Sequence, residues 1–436
     1  MKRVFHSSFI PMAGLLLFLG GCRAVGPDYQ RPNSPGLSPT FRYGKSQASI
    51  DAEWWKNFRD STLTRLIQQA RRANFDLAQA EAHIRESRAL AQSAELGDVS
   101  AQLVNSAAVA GWELDLFGKY RRGEEAANAN VESAEALRDA ALVSVSAEVA
   151  TAYLELRGSQ QAYLWATRTI EGSSRTLDLS RKSIQLGRAT EFDATRMETQ
   201  LAENRAALPP LRQAQETALA RLAVLTGQPP GVLDRELSHP APVPFVPDSV
   251  ASGLPSDLLR NRPDVRAAER ELAAAVAAIG IETADLYPRL SLGGTLSYSV
   301  GKPSGFLWNG GPNLSWAAFD IPRVRTHIAA AQARADGALA RYQQTVLKAA
   351  EEATTALSTW QHQRERRDQL RYAVALSRNL NQQSRKRMDA GILTLPNVIE
   401  AEQARFNAER QLAESETNTA TDLVAVYKAL GGGWKR

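Results

Sequence analysis

Long stretches of this sequence place apolar residues three and four positions apart. One such stretch contains Leu142, Val145, Val149, Ala152 and Leu156, and another contains Val346, Ala349, Ala353, Ala356 and Trp360. On a helix this spacing forms a single apolar stripe, and its alanines let a partner helix approach closely. The pattern predicts long helices that pair as coiled coils.

The two stretches are equivalent at a spacing of 204 residues, and other landmarks repeat at the same spacing. These landmarks are Trp112 with Trp316, Arg181-Lys182 and Gly187 with Arg385-Lys386 and Gly391, and Gly227 with Gly431. One fixed spacing over much of a chain indicates a tandem duplication. We therefore expect two halves that contain the same elements in the same order.

Each half is predicted to contain one long helix and two shorter helices. The stretch from Gly118 to Gly187 has about 70 residues, which would reach ~105 Å as a helix. The stretches Leu63 to Ala94 and Thr190 to Thr226 are about half as long, so two of them stacked end to end match the long helix. Pro209 and Pro210 should kink or break the second, because proline lacks an N–H and clashes with the preceding turn.

The second half also contains a stretch in which apolar and small polar residues alternate. The apolar positions are Leu290, Leu292, Leu296, Tyr298 and Val300, and the residues between them are Ser291, Gly293, Thr295, Ser297 and Ser299. Alternation over about ten residues suits a tilted membrane strand, with lipid on one side and a lumen on the other. An ordinary half-buried hairpin of a soluble domain is the alternative.

The alternating stretch is followed by a turn from Gly301 to Gly305 and by a second apolar segment. Aromatic residues flank the predicted hairpin and could form interfacial girdles in a membrane: Tyr287, Tyr298, Trp308 and Trp316.

The corresponding hairpin of the first half is predicted to be shorter. Phe75-Asp76-Leu77 aligns with Pro263-Asp264-Val265 at a spacing of 188, whereas the later landmarks align at 204, so the first half lacks about 16 residues. Residues 96–112 are too few for two strands of about ten residues and a turn. Either this hairpin is stunted or the chain records an internal deletion.

Four strands per chain are too few to close a barrel, and an open sheet edge in lipid leaves backbone groups unpaired. Three chains would supply twelve strands and twelve helical rods around one axis. The predicted fold class is therefore mainly α with a small membrane β part. Duplicated long coiled-coil helices form an α-barrel in a trimer, and three chains share a 12-stranded β-barrel.

The N-terminus resembles an export signal followed by a lipidation site. Lys2 and Arg3 precede an apolar run from Phe9 to Leu19 that is too short to anchor the chain in a bilayer. The run ends at Gly20-Gly21-Cys22, which resembles a lipoprotein box. We expect removal of residues 1–21 and attachment of lipid, including palmitate, to Cys22; an incidental cysteine is the alternative.

Cys22 is the only cysteine of the chain, which excludes an intramolecular disulfide and a thiolate zinc cluster. By resemblance to bacterial lipoproteins, Arg23 favours the outer membrane, since an inner-membrane retention signal would have aspartate there.

Charge and catalytic motifs add little to this interpretation. The 436 residues carry a net charge of +5, and basic and acidic residues alternate, which is typical of solvated helix faces and not of a nucleic-acid surface. The five histidines are scattered, and HExxH, GxSxG and GxGxxG patterns are absent from the sequence. We expect no enzymatic activity, no metal and no cofactor other than the lipid.

Four further segments stand out along the mature chain. They are Val25-Gly26-Pro27-Asp28-Tyr29, Trp54-Trp55-Lys56-Asn57-Phe58-Arg59-Asp60, Trp112-Glu113-Leu114-Asp115-Leu116-Phe117-Gly118, and Leu254-Pro255-Ser256-Asp257-Leu258-Leu259 with Arg262-Pro263-Asp264. In this order around a duplication they resemble the outer-membrane factors of tripartite efflux systems. This is the TolC-like family, and the lipidated N-terminus is similar to its NodT-type lipoprotein branch.

The resemblance implies a homotrimeric channel in the Gram-negative outer membrane that extends into the periplasm. Its implied partners are a periplasmic adaptor protein, an inner-membrane pump of the RND type and outer-membrane lipid. The implied function is export of small molecules such as drugs. Type I protein secretion and a non-channel coiled-coil structural lipoprotein are the alternatives.

The expected division of the chain follows from the same resemblance. It comprises a signal peptide (1–21), a lipid-anchored extended segment (22–62), a first repeat (63–227, with its hairpin near 96–112), a linker in an equatorial region (228–255), a second repeat (256–431, with its hairpin near 288–319) and a tail (432–436).

Two glycine turns would be the periplasmic tips that meet the adaptor in this family: Gly187-Arg188-Ala189-Thr190 and Gly391-Ile392-Leu393-Thr394. Small residues are also what any tight helical hairpin requires, so these positions have a purely structural explanation as well.

Family channels narrow at this end, often through a ring of acidic side chains. Asn397 and Glu400 match that acidic pair, and their equivalents in the first half are Asp193 and Arg196. We hypothesise that an Asp193 to Asn397 contact or an Arg196 to Glu400 contact clasps neighbouring hairpins and holds the resting channel shut. Solvated helix faces are the alternative explanation for all four residues.

Overall fold

The structure is a computed structural model that describes residues 23–33, 36–43, 51–95, 99–104, 107–185, 190–250, 252–299 and 305–434. The predicted sites Cys22, Gly187, Arg188 and Ala189 lie outside the described residues. The chain divides into two compact units. The sheet unit comprises Met1–Ser34, Ala82–Ala136 and Arg266–Thr345, and the helical unit comprises Pro35–Glu81, Leu137–Val265 and Val346–Arg436.

Ten α-helices and four strands follow one another in the described ranges. In chain order they are α1 (Ser61–Ala73), α2 (Phe75–Glu95), β1 (Val99–Val104), β2 (Ala107–Leu114), α3 (Lys119–Gln185), α4 (Glu191–Ala206), α5 (Leu208–Leu225), α6 (Asp234–Leu237), α7 (Leu258–Asn261), α8 (Pro263–Ala284), β3 (Arg289–Ser299), β4 (Gly305–Ser315), α9 (Ile321–Asp389) and α10 (Leu395–Ala429).

The duplication is visible in the bounds of the helices. The long helices α3 and α9 end at Gln185 and Asp389, which are 204 residues apart. The returning helices begin at Glu191 and Leu395 and finish at Leu225 and Ala429, again 204 residues apart. The predicted order of a short helix, a hairpin, a long helix and a returning helix is therefore observed in both halves.

The prediction of one helix from Leu63 to Ala94 is wrong in one respect, because α1 and α2 are separated at Asn74. Asn74 has extended backbone angles and a buried side chain. Its amide nitrogen donates to the carbonyl of Leu225 at 3.0 Å, and its amide oxygen accepts from the backbone N–H of Asp76 and of Leu77 at 2.9 and 3.3 Å. The side chain thus caps α2 and satisfies the last turn of α5.

The second half contains the same break with a different side chain. Arg262 occupies the position equivalent to Asn74 at a spacing of 188 and separates α7 from α8. Its guanidinium donates to the carbonyl of Ala429 at 2.9 Å, and Ala429 is the equivalent of Leu225. Both halves therefore tie the break between two short helices to the end of the returning helix.

The predicted break at Pro209-Pro210 is confirmed. The returning helix of the first half is divided at Ala207 into α4 and α5, because the two prolines cannot donate to the preceding turn. The equivalent helix of the second half, α10, is one helix of 35 residues.

The helical unit has a core built from aromatic and aliphatic side chains. Trp54, Trp55 and Phe58 are almost completely buried, and Trp54 stacks on Tyr427 with ring centroids 5.0 Å apart. Most of the predicted helical stripes face this core. Val145, Val149, Ala152, Leu156, Ala353 and Trp360 are buried in it, and Leu142 and Ala356 pack against it. Val346 and Ala349 are buried as well. Burial of the apolar stripe is what stabilises helices of this length.

The sheet unit contains one antiparallel sheet with the order β1-β2-β3-β4. The strands β3 and β4 have eleven residues each, whereas β1 has six and β2 has eight. The first hairpin does form, and it is shorter than the second. Four strands in this chain agree with the predicted fold class.

Across the described residues, none of the helices is both long enough and apolar enough for a membrane crossing.

Candidate functional site

The two faces of the sheet differ in polarity. Residues that pair directly across an antiparallel sheet lie on the same face, and alternate residues of a strand lie on opposite faces. One face carries Ala101, Leu103, Ala108, Ala110, Trp112, Leu114, Leu290, Leu292, Leu296, Tyr298, Phe306, Trp308, Pro312 and Leu314. The other carries Ser100, Gln102, Glu113, Ser291, Thr295, Ser297, Asn309, Asn313 and Ser315, with Ala107, Val109 and Leu307 among its apolar residues.

Large side chains on the apolar face are exposed. Leu103 is 87 % exposed, Trp308 is 81 % exposed and Phe306 is 73 % exposed. Apolar surface of this extent on a water-soluble protein normally marks a binding surface or a membrane contact. The continuous apolar face, opposite a polar face, is what a membrane strand requires.

The N-terminal segment of the sheet unit is fixed by one buried arginine on α3. Arg122 donates to the carbonyl oxygens of Val25 and Gly26 at 3.1 and 3.3 Å and forms ion pairs of 2.7 Å with Asp28 and Glu125. The hydrogen bond from Arg122 is the main reason that the pKa of Asp28 lies below its ordinary value. The segment that follows the predicted lipidation site is therefore held on α3.

Tyr29 continues this attachment on α8. Its hydroxyl donates to Glu269 at 3.2 Å, and Arg270 lies over its ring. Burial, followed by the charge of Glu269, raises the pKa of Tyr29 to about 12. The tyrosine hydroxyl therefore remains protonated at physiological pH and serves as a donor. From the sequence this segment shows only a family resemblance; its contacts with α3 and α8 give it a structural role.

Two of the predicted gate residues cap their own helices. Asp193 accepts hydrogen bonds from the backbone N–H and the hydroxyl of Thr190 at 2.9 and 2.8 Å, at the start of α4. Asn397 accepts from the same two groups of Thr394 at 3.3 and 2.8 Å, at the start of α10. Both sites are capping boxes, which stabilise a helix N-terminus.

The carboxylate of Asp193 is stabilised by this arrangement. The backbone N–H of Thr190, then the Thr190 hydroxyl and the charge of Arg196, lower the pKa of Asp193 below its ordinary value of 3.8. Asn397 provides the same hydrogen bonds without a charge.

The other two gate residues lie close to each other. The guanidinium of Arg196 on α4 lies 3.9 Å from the carboxylate of Glu400 on α10, and both side chains are exposed. The contact joins the returning helices of the two halves. An exposed pair at this distance contributes only about 0–1 kcal/mol to stability, so it opens at little cost.

The second predicted tip is well described. Gly391 has a φ of 74°, and the N–H of Ile392 donates to the carbonyl of Arg387 at 2.8 Å, which closes the end of α9. Ile392 is 71 % exposed. Thr394 then begins α10, as Thr190 begins α4.

A buried carboxylate near this end was not predicted from the sequence. Glu402 on α10 is only 6 % exposed and accepts hydrogen bonds from Thr176 of α3 and from Arg385 of α9, each at 3.0 Å. It therefore connects helices of both halves. A glutamate at this position could not be distinguished in the sequence from glutamates on solvated faces.

Comparison with known proteins identifies the family. The profile of the outer membrane efflux protein family matches residues 95–228 and 254–432, which is more than half of the chain. The chain belongs to the outer membrane efflux protein family. The two matched stretches correspond to the two halves of the duplication.

Relatives of this outer membrane efflux protein match almost the whole chain. Nodulation protein T of Rhizobium leguminosarum bv. viciae is 28 % identical, with 98 % of this chain and 94 % of that protein covered. Pyoverdine export outer membrane protein OpmQ of Pseudomonas putida is 29 % identical, with 99 % and 98 % covered.

The fold of this outer membrane efflux protein is also that of a solved channel. The outer-membrane channel OprN superposes with a TM-score of 0.86 at 34 % identity, with 94 % of this chain and 99 % of that chain covered. The predicted family, the mainly helical fold class and the function as an outer-membrane efflux channel subunit are confirmed by these matches. The family consists of outer membrane efflux proteins, OpmQ is named as an export outer membrane protein and OprN as an outer-membrane channel, and none of these names denotes an enzyme.

Proposed function

We propose that three copies of this chain form one channel, anchored by lipid on Cys22, that exports small molecules as the outer-membrane part of a tripartite pump. The observation that carries the proposal is the four-stranded sheet with one apolar, exposed face. Within the described residues, the outer strands β1 and β4 each leave one edge unpaired, and unpaired edges are not tolerated in lipid. Pairing of β4 with β1 of the next copy removes both edges and closes a 12-stranded barrel.

The same assembly places the long helices side by side as an α-barrel in the periplasm. The exposed turn at Gly391-Ile392-Leu393-Thr394 and its equivalent ending at Thr190 would then contact a periplasmic adaptor protein, which links the channel to an inner-membrane pump of the RND type. Ile392, with its exposed apolar side chain, offers the adaptor a contact that a purely structural turn would not need.

Lipid on Cys22 would add a second attachment to the membrane. Arg122 supports this role because it holds residues 25–28, only a few residues after Cys22, on α3 of the sheet unit. More than one acyl chain is needed for stable anchoring, and three lipidated copies supply several.

The cargo is proposed to be small because OpmQ, a relative over nearly the full length, is named for pyoverdine export. Export of proteins is the second candidate, and the family match alone does not separate the two. The pump is expected to select the cargo, while the channel conducts it.

The proposal is tested in a strain that lacks its outer-membrane efflux channel. Complementation with this chain should restore resistance to small toxic compounds, and the purified protein should migrate as a heat-labile trimer and conduct ions in planar bilayers. Cys22→Ala should remove the lipid and reduce the outer-membrane yield. A conducting monomer, or a trimer that restores only protein secretion, would contradict the proposal.

A further inference from the structure

A groove of about 880 Å³ lies on the helical unit and is lined by residues of four helices. Its walls come from α3, the start of α8, the middle of α9 and the end of α10. A volume of this size is in the range that holds a drug-sized molecule. The groove is therefore large enough to be a binding site within one copy of the chain.

The groove lies on the side of α9 and α10 that is opposite the aromatic core. On α9, Ala353 is buried in the core and Thr355 lines the groove. On α10, Tyr427 is buried in the core and Ala425 lines the groove. In each pair the two residues are two positions apart, which is about 200° around a helix.

The segment with Trp54, Trp55 and Phe58 covers the core side of these helices. In the proposed α-barrel, one side of every helix faces the lumen and the other faces outward. If the core side faced the lumen, this segment would obstruct the channel. The groove side therefore faces the lumen in the proposed assembly, where exported molecules can reach it.

Small apolar side chains form one part of the groove wall. They are Ala140, Val143, Ala356, Ala425 and Ala429. Binding sites for small molecules typically combine such an apolar surface with a few polar groups that fix the orientation of the ligand.

Charged side chains line the rest of the groove. The cationic ones are Arg262, Lys348 and Lys428, and the anionic ones are Asp264, Glu351, Glu352 and Asp422.

Most of these charges gain little from a ligand. Arg262 already forms ion pairs with Asp264 at 2.6 Å and with Glu352 at 2.7 Å. Lys348, Lys428 and Glu351 have exposed side chains, so water solvates their charges, and an ion pair at an exposed position contributes little.

Asp422 differs from the other charged residues because it is partly buried and unpaired. Within the described part of the chain, no hydrogen bond or ion pair reaches its carboxylate, and burial alone raises the pKa of Asp422 above its ordinary value of 3.8. A carboxylate that has lost water without gaining a partner is stabilised by a cation placed against it. Asp422 is therefore the charge in the groove that a ligand would satisfy.

We propose that the groove binds an amphipathic organic cation, with the ammonium group of the ligand at Asp422 and its apolar part on the alanine-rich wall. The inference rests on the proposed export of small molecules and specifies one class of cargo, lipophilic amines. An organic anion held by Lys348 and Lys428 is the competing ligand, and the experiment below separates the two.

Three dansyl compounds that differ in charge test this assignment on the full-length protein, purified as a trimer in detergent. Dansylcadaverine carries an ammonium group, its N-acetyl derivative is neutral, and dansylglycine is an anion. Fluorescence anisotropy measures their binding. Dansylcadaverine should bind about tenfold or more tightly than the other two, because a hydrogen bond to a charged group is lost in both.

Asp422→Asn should weaken the binding of dansylcadaverine about tenfold or more and leave the binding of the neutral derivative unchanged. Glu414→Gln is the matched control, since Glu414 is an exposed carboxylate of α10 outside the groove. It should bind all three compounds like wild type. Ala425→Trp, which narrows the groove one turn from Asp422, should weaken dansylcadaverine binding without removing any charge.

The inference is overturned if the three compounds bind equally well, if dansylglycine binds most tightly, or if Asp422→Asn and Ala425→Trp both bind dansylcadaverine like wild type. When the same trimers still conduct ions and restore resistance, the proposed function stands and only the binding site fails. A protein that neither forms trimers nor conducts contradicts the proposed function, and the inference with it.

Discussion

Two glycines end the returning helices and contact the helix that precedes each break. Gly227 and Gly431 have φ values of 72° and 77°, and a Cβ atom at either would collide with a backbone carbonyl, that of Ala73 or that of Asn261. Gly391 has a φ of 74° with open space around it. The three glycines therefore share the same backbone conformation, but only Gly227 and Gly431 lack space for a Cβ atom.

Gly431→Ala is expected to destabilise the protein more than Gly391→Ala. A left-handed backbone costs an alanine about 1–2 kcal/mol at both positions. A Cβ atom added at Gly431 would lie 2.6 Å from the carbonyl oxygen of Asn261, and such overpacking adds about 1–3 kcal/mol. Thermal denaturation of the two variants in detergent measures the difference. Equal losses would mean that the contact with Asn261 is not tight.

The start of α4 should lose stability in acid, whereas the start of α10 should not. Because the pKa of Asp193 is lowered in the folded chain, its capping contribution is complete above the ordinary value of 3.8 and is lost as the pH falls through the lower folded value. Asn397 makes the equivalent hydrogen bonds without a titratable group.

Hydrogen exchange at the starts of the two helices, compared between wild type and Asp193→Asn at each pH, checks this expectation. As the pH falls below the ordinary value of 3.8, the wild-type residues 190–194 should lose protection, while Asp193→Asn should change no more than residues 394–398. If wild type and variant respond identically to acid, Asp193 does not control the cap.

The contacts of individual side chains were harder to predict from the sequence than the helices and strands. The positions of Asp193, Arg196, Asn397 and Glu400 near the tips follow from the duplication, but their partners do not, because capping and cross-helix contacts depend on the geometry of the turn. Glu402 was missed for a related reason: its neighbours Thr176 and Arg385 are distant in sequence, so only the packing of α3, α9 and α10 makes it a buried acceptor.

At the scale of elements, Asn74 is expected to be the most sensitive residue of the break between α1 and α2. Asn74→Ala leaves the buried carbonyl of Leu225 without its donor and removes the cap of α2, which should cost about 1–3 kcal/mol. Asn74→Ser keeps an acceptor for the cap and should recover part of the loss. Denaturant titrations of both variants measure it, and an unchanged midpoint for Asn74→Ala would contradict this role.

The two faces of β3 should respond oppositely to a positive charge. Leu296 lies on the apolar face and Thr295, its neighbour, on the polar face. Arginine on a lipid-facing position costs about 2–4 kcal/mol at the bilayer midplane, whereas substitutions that face the lumen tune selectivity. Leu296→Arg should therefore reduce the yield of heat-labile trimer in the outer membrane.

Thr295→Arg is the matched variant and should fold with nearly normal yield, while its conductance becomes less selective for cations. Yield is measured on gels of unheated membranes, and selectivity from reversal potentials in planar bilayers. Equal yields for the two variants would argue against a lipid-facing apolar side of the sheet.

Most elements could be predicted from sequence because their signals are periodic and repeated. The stripes of α3 and α9, the alternation in β3 and the prolines after α4 each predicted the observed element. The break at Asn74 carries no proline or glycine, and an asparagine inside a helical pattern gives only a weak signal. The strands β1 and β2 are only six and eight residues long, so their pairing with β3 became evident only from the sheet.

At the scale of the whole molecule, the different lengths of the outer strands β1 and β4 limit the pairing between copies. The free strand β4 has eleven residues and β1 has six, so a β4 to β1 pairing between copies leaves five residues of β4 beyond the shared ladder. The duplication alone predicts equal hairpins, and only the change of spacing from 188 to 204 reveals the difference. A trimer would contain three of these short strand pairings. The contacts between helices would therefore contribute more of the stability of the trimer.

The charges at the narrow end of the proposed channel should follow the duplication as well. Arg196 and Glu400 occupy equivalent positions, so three copies would place arginine and glutamate alternately around the ring, with each pair at the 3.9 Å spacing seen within this chain. Such a ring attracts neighbouring hairpins and should keep the resting channel closed, although each exposed pair contributes only about 0–1 kcal/mol.

Removing one sign from this ring should open the channel. Conductance of purified trimers in planar bilayers is expected to rise in Glu400→Ala and in Arg196→Ala, because each leaves like charges facing one another across the ring. The double exchange Arg196→Glu with Glu400→Arg restores the alternation of charges and should return the conductance toward that of wild type.

High salt should also open the wild-type channel, since charges on exposed pairs are screened over about 10 Å at roughly 0.1 M. Its conductance should therefore rise by more than the increase in ion concentration alone explains. If both single variants stay as closed as wild type, Arg196 and Glu400 do not hold the channel shut.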